Sequence, residues 1–465
     1  MSKRSKYLFQ NTVAFAIGKV GTRLIAFFLV PLYTYALSTE EYGTVDLITT
    51  ICTVLMPILI LGINEAVMRF CLDKGADYRK IMSVGLAILA GATIIGLLLI
   101  PVAKLFPETA AYGFLIYSYV ITMGYSQVFL YYLRGQEKLT AYSVGNIIHT
   151  AVAAGCNILF LVIFRWGIKG YLLAYTCSNI ASALYAAVVG RVDLAIRKFQ
   201  FDGRLSRMML RFSVILIPNT FMWWIINSSD RIMVAAMVGT AANGIYAVSY
   251  KIPSMLSIMS GVFNQAWSYS AIRESGSADE AEYHNQIYNH LVQTLTFITT
   301  VALLVIKPFL KLYVSEAFYS AWRYTPYLLI GFLFLSLATF LSTPYTVHKN
   351  SLGFLFSSMI GAGINIGLNL LLIPRIGVTG AALATCFSYI AVYLFRGIHT
   401  RKYIKIRIFQ PKHLVGYGLL IAMSGTMFVD GLAGAILLLA LFAIVVFCSK
   451  DFLFALCAML QRKRH

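Results

Sequence analysis

The stretch GKVGTRLI, residues 18–25, sets Lys19 and Arg23 four residues apart in a segment that is otherwise apolar. At that spacing both cations share one helical face. Each costs roughly 2.5–3.5 kcal/mol at the centre of a membrane helix. Something must offset that cost, and Arg23 has no candidate acid at its depth. A second i,i+4 pair, Glu65 and Arg69, lies downstream, with Glu65 at a depth from which it reaches Lys19. Asp46 falls near the outer end of the same span. Further along, INSSDRIMV supplies Asp230 and Arg231, and VSYKIPSML supplies Lys251. Asn219, Trp223 and Asn227 precede them at helical spacing and give that segment a polar face. We read Lys19, Arg23, Arg231 and Lys251 as a cationic substrate-binding set. Glu65, Arg69, Asn219, Asn227 and Asp230 are read as cavity-lining or charge-pairing residues. Two structural readings stay open: Glu65 bridges Lys19 or Arg69, and Asp230 neutralises Lys251. His149, Asn157, His290 and Asn365 are read as interhelical hydrogen-bonding groups.

The elements that carry these residues are set by composition. Hydrophobic residues make up 59% of the chain and charged ones 12%, with a mean hydropathy of +0.76. These values lie far from those of soluble domains and describe a membrane protein. The net charge of +20 would suggest nucleic acid in a soluble chain, but here the cations sit between apolar runs and act as topology signals. No nucleic-acid partner follows from it. The seven cysteines show neither metal-ligand nor disulfide spacing, and no residue set suggests a catalytic centre or metal site. A GxxxxGK[ST] loop is missing, so nothing in the sequence supports direct ATP drive.

A ruler of about 20 apolar residues per span gives about fourteen segments, near 8–37, 44–70, 80–103, 110–133, 141–164, 168–190, 209–237, 244–271, 287–310, 323–346, 352–373, 378–398, 413–430 and 432–449. Most of the 38 lysines and arginines fall on one side if both termini are cytoplasmic. Residues 191–211 and 401–413 are the clearest basic cytoplasmic stretches, and the acidic loop 273–285 is the one dissent. The tyrosines of span 4 read as interfacial anchors.

Internal similarity sets the architecture. FRWGIKGYLLAYTCS from Phe164 aligns with PRIGVTGAALATCFS from Pro374, 210 residues apart, pairing Gly167 with Gly377 and Gly170 with Gly380. A weaker echo joins LSTEEYGTV to VGTAANGIY, pairing Thr39 with Thr240 and Gly43 with Gly244. Six spans per repeat give both halves the same orientation, a transporter arrangement with the substrate site between the halves. The expected fold is therefore an all-α integral membrane protein of about fourteen transmembrane helices. It has two six-helix lobes related as parallel repeats around a central cavity, plus two C-terminal helices. Residues 1–200 form the N-terminal lobe and 201–400 the C-terminal lobe. Residues 401–465 hold a basic linker, helices 13 and 14, and a cytoplasmic tail.

PLYTYALSTEEYGTVDLI followed by LGINEAVMRF resembles the start of the polysaccharide (O-antigen type) flippases, which belong to the multidrug/oligosaccharidyl-lipid/polysaccharide exporter superfamily. YLRGQEK and the G-x-x-G openings of spans 6 and 12 extend the likeness along the chain. The resemblance implies two six-helix lobes in a V, and a substrate class: oligosaccharide repeat units on a polyprenyl pyrophosphate carrier. It also implies the bacterial cytoplasmic (inner) membrane as location and a polysaccharide polymerase as a partner. On this reading the chain is a transporter rather than an enzyme and has no cofactor; coupling to protons, sodium or the membrane potential stays open. Lys19, Arg23, Arg231 and Lys251 would then hold the pyrophosphate. Two alternatives stay open: a cation-coupled multidrug exporter of the same fold, and a membrane-embedded polysaccharide polymerase.

Overall fold

A computed structural model describes residues 25–101, 109–274, 279–348 and 350–448; Lys19 and Arg23 lie outside them. The described residues are helical and contain no strand. The chain divides into two compact units. One is Met1–Ala235 with Gly239–Gly244, and the other is Ala236–Val238 with Ile245–His465. This packing boundary places span 7 with the first unit, whereas the repeat boundary expected at 200/201 follows topology.

The first unit holds α1 (Ile25–Ala36), α2 (Thr39–Leu59), α3 (Ile63–Cys71), α4 (Tyr78–Leu99), α5 (Gly113–Gly135), α6 (Leu139–Asn157), α7 (Gly167–Gly190), the short α8 (Val192–Arg197) and α9 (Gly203–Met237, to Ala235). It ends in the first turn of α10 (Thr240–Ser249). The rest of α10 opens the second unit, followed by α11 (Lys251–Glu274), α12 (Glu280–Tyr313), α13 (Thr325–Phe340), the short α14 (Thr343–Val347), α15 (Ser351–Ile376), α16 (Val378–His399), α17 (Pro411–Thr426) and α18 (Gly431–Cys448). A helix stands at each of the fourteen expected spans, the first seen from Ile25. Among the described residues, ten helices are long and apolar enough to cross a membrane. Spans 1, 7, 8 and 13 fall outside those ten: span 1 is described only over Ile25–Ala36, α9 and α11 carry polar faces, and α17 has 16 residues.

Two expected spans are interrupted, each for a local reason. Span 2 breaks where α2 ends in a complete Schellman motif: Gly62 N–H donates to Pro57 O (2.8 Å) and Leu61 N–H to Ile58 O (3.1 Å). Leu61 takes the left-handed conformation there, at φ 53°. Span 8 breaks at Tyr250, because Pro253 has no N–H for the carbonyl of Ser249 and its ring would clash with it. Thr325 Oγ1 donates to that freed oxygen instead (3.4 Å). The acidic loop also has a local account: Glu280 and Glu282 lie in the first turn of α12, where carboxylates complement the helix dipole.

The repeat is written into the backbone. Gly167 and Gly377 open α7 and α16 with φ +53° and +59°, a region that glycine enters without penalty. Three residues on, Gly170 and Gly380 let the same helices press onto the preceding span: an added Cβ would lie 3.1 Å from Phe160 O and 2.6 Å from Leu372 C and O. The polar pins recur too. His149 Nε2 meets Asn179 Oδ1 (3.1 Å) between α6 and α7, and Asn365 donates to Thr385 (3.3 Å) between α15 and α16. Asn157 differs from expectation, bonding Ala153 O of its own helix (2.7 Å).

Gly380→Ala is expected to destabilise the folded protein by about 1–3 kcal/mol, because overpacking against a backbone carbonyl outweighs the helix-propensity gain of about 1 kcal/mol. Gly363→Ala, where nothing lies within 4 Å of the added Cβ, should be neutral or stabilising. Denaturant unfolding of the two detergent-solubilised variants measures the contrast.

Candidate functional site

The site grows from the turn between α1 and α2. Ser38 Oγ accepts from Glu41 N–H (3.1 Å) and Glu41 Oε2 accepts from Ser38 N–H (2.9 Å), a reciprocal capping box. Tyr42, inward of the cap, stacks on Tyr33 of α1 at 6.2 Å. Gly43 follows because nothing larger fits: an added Cβ would lie 1.7 Å from Thr240 O. The relation is reciprocal, for a Cβ on Gly244 would lie 2.1 Å from Thr39 O. The weak echo between LSTEEYGTV and VGTAANGIY is thus the sequence trace of two helix starts, α2 and α10, in backbone contact.

Below that contact lies a charge cluster. Asp46, two turns into α2 and buried, accepts from Arg231 Nη1 of α9 at 2.9 Å. Asn243 Nδ2 of α10 reaches Gly43 O (3.0 Å) and Asp46 Oδ2 (3.4 Å). Trp224 Nε1 donates to Thr50 O (3.1 Å), so α9 is tied to α2 twice along its length. Asp230, 2% exposed, accepts the N–H of Arg231 (2.9 Å). Carboxylates and amides of these kinds, gathered where water is scarce, hold a guanidinium in one place.

One tyrosine of span 4 does something other than anchor at an interface. Tyr119 of span 4 is buried and packs on Tyr175 at 6.1 Å. Tyr171 meets Tyr175 at 4.7 Å and Tyr33 at 5.2 Å, and the Tyr33 and Tyr175 hydroxyls are 3.4 Å apart. Buried tyrosine hydroxyls need partners, and those of Tyr33 and Tyr175 supply one another.

The remaining expected residues are dispersed. Arg69 pairs with Asp73 at the half-exposed end of α3, not with Glu65. Glu65 lies one turn deeper, where Tyr131 donates to it and Arg134 is its nearby cation. Asn219 and Asn227 lie on α9. Lys251 is the first residue of α11, in the second unit. A cation at a helix N-terminus opposes the macrodipole, so the helix itself gains nothing from it.

One charge escaped the sequence reading. Arg396 of α16 is 3% exposed, and it donates to Ser357 Oγ (2.9 Å), Ala338 O (2.9 Å) and Ser358 Oγ (3.3 Å), with Phe354 beneath its guanidinium at 4.9 Å. The serine pair in LFSSMI was the available signal. Among the described residues, no group of three or more His, Cys, Asp and Glu gathers as a metal site.

Comparison with known proteins places this architecture. The fold is that of the lipid II flippase MurJ in an inward closed conformation (TM-score 0.68, 14% identity, 95% of this chain and 100% of that one). It is also that of an inward-facing multidrug resistance transporter of the MATE family in the MOP superfamily (TM-score 0.65, 12% identity, 83% and 98%). Lsg locus putative protein 1 of Haemophilus influenzae (strain ATCC 51907 / DSM 11121 / KW20 / Rd) is 21% identical over 274 residues, 57% of this chain and 67% of that protein. Residues 8–275 match the family described as polysaccharide biosynthesis protein. That match spans more than half of a multi-pass helical membrane chain whose repeats, capping box and glycine contact are now accounted for, and the chain belongs to the polysaccharide biosynthesis protein family.

Proposed function

We propose that the chain is a flippase. It moves polyprenyl-pyrophosphate-linked oligosaccharide repeat units from the cytoplasmic to the outer leaflet of the bacterial inner membrane, for assembly of a surface polysaccharide such as O-antigen, capsule or exopolysaccharide. Membership of a polysaccharide biosynthesis family, together with a fold shared with a lipid II flippase, supports this reading. The single observation that carries it against a multidrug exporter of the same fold is the state of the acids. Asp46 is engaged by Arg231 and Asn243, Glu65 by Tyr131 and Arg134, and Asp230 by the Arg231 N–H. Asp46 and Glu65 thus each have a cation beside them, which makes them poor sites for a cationic drug.

In the proposed cycle Lys19 and Arg23 carry the pyrophosphate through hydrocarbon, so that a dianion is never without electrostatic partners. Lys251 extends that cationic path, and Arg231 joins it when its bond to Asp46 opens. The two repeats alternate access. An interior-negative potential favours the direction, worth about 2.3 kcal/mol per charge per 100 mV.

Reconstituted vesicles loaded with lipid-linked oligosaccharide test the proposal. The original protein should expose the sugar on the far leaflet, and Arg23→Ala should abolish that transfer while still inserting. Organic cations should not compete. Competition by them would favour the multidrug exporter, and full transfer by Arg23→Ala would remove the cationic cavity from the proposal.

A further inference from the structure

Between α16 and α17 the chain forms a basic strap. From Ile404 to Ile408 the strap is non-helical, with two successive i→i−2 bonds, Ile406 N–H to Ile404 O and Ile408 N–H to Ile406 O (3.1 Å each), and strict alternation: Ile404, Ile406 and Ile408 are buried, and Lys405 and Arg407 are exposed. Ile408 packs over Gly397, where an added Cβ would lie 2.4 Å from its side chain. Asn285 of α12 clamps the strap, donating to Lys405 O (3.0 Å) and accepting from Arg407 N–H (2.8 Å). Its 5% exposure and its third bond, to Ala281 O (2.7 Å), fix it in turn.

The clamp holds Lys405 and Arg407 on one side of the strap, over a cavity of about 600 Å³ that Arg401, Glu282 and Asn285 also line. Three cations therefore face one acid, and among the described residues none of the three is ion-paired. The strap directly follows a membrane span that ends at Lys402, which sets it at the level of lipid headgroups. Guanidinium and ammonium groups arranged around a cavity suit a phosphodiester.

We propose that this cavity binds the phosphate headgroup of an anionic phospholipid of the adjacent leaflet, with Arg401, Lys405 and Arg407 as its donors. Its test reads binding rather than transport. Purified full-length protein in neutral detergent is titrated with short-chain phosphatidylglycerol, with phosphatidylcholine of the same chain length, and with inorganic phosphate. Phosphatidylglycerol should bind in preference to phosphatidylcholine. The triple variant Arg401→Gln/Lys405→Gln/Arg407→Gln should weaken it on the order of a hundredfold, while Arg401→Lys/Arg407→Lys keeps most of the affinity. Should the triple variant not fold, Glu282→Gln decides: removing the lone acid should tighten phosphatidylglycerol binding. Unchanged binding in the triple variant, or in Glu282→Gln, would overturn the proposal. Full displacement of the lipid by millimolar inorganic phosphate would assign the cavity to free phosphate instead.

Discussion

Asp46→Ala is expected to be among the most damaging single substitutions in the protein. It leaves the Arg231 guanidinium, about one fifth exposed, without its carboxylate, and it takes an acceptor from Asn243. Removing one partner of a largely buried ion pair costs about 3–5 kcal/mol, because the other charge stays behind. Asp46→Ala and Arg231→Ala should each lower unfolding stability strongly and each fail to restore surface polysaccharide. The double variant should be less unstable than the sum of the two, with a coupling of about 1–3 kcal/mol in an unfolding cycle. Strict additivity would mean that the two side chains do not act together.

Gly43→Ala is expected to be equally severe for a different reason. The new methyl would sit 1.7 Å from Thr240 O, and its counterpart in Gly244→Ala would sit 2.1 Å from Thr39 O. These obstacles are backbone, so no rotamer change relieves them and the two helix starts must separate. Overpacking of this kind costs typically 1–3 kcal/mol and sometimes more. Export should be lost in both variants. Gly91→Ala and Gly261→Ala, which meet nothing within 4 Å, make the same chemical change in open space and should export normally. Complementation of surface polysaccharide with parallel unfolding curves separates the two groups. Normal export by Gly43→Ala would remove the glycine contact from the account.

Much of the architecture is legible in the sequence because hydrophobic length and glycine placement act locally. The 210-residue offset between Gly167 and Gly377 marks two helix starts where glycine takes a positive φ, and composition alone demands membrane helices. The echo that pairs Gly43 with Gly244 is weak in sequence, yet it reports a direct contact. The charges are less legible. Arg231 reads as a free cation until folding brings Asp46 to it from 185 residues away. The i,i+4 rule gives Arg69 two candidates, Glu65 and Asp73, and the helix end decides for Asp73. Span breaks at Leu61 and Tyr250 depend on a left-handed turn and on Pro253, which a hydropathy ruler does not register. Arg396 is hidden because its partners are serines and a carbonyl rather than an acid.

The central claim is that this chain flips a lipid-linked oligosaccharide. The most direct test is to delete its gene and determine which leaflet of the inner membrane holds the oligosaccharide, then restore either the original protein or the Arg23→Ala form. The account predicts accumulation in the cytoplasmic leaflet, cured by the original protein alone. Accumulation in the outer leaflet would place the protein after the flipping step, and no accumulation at all would contradict the claim.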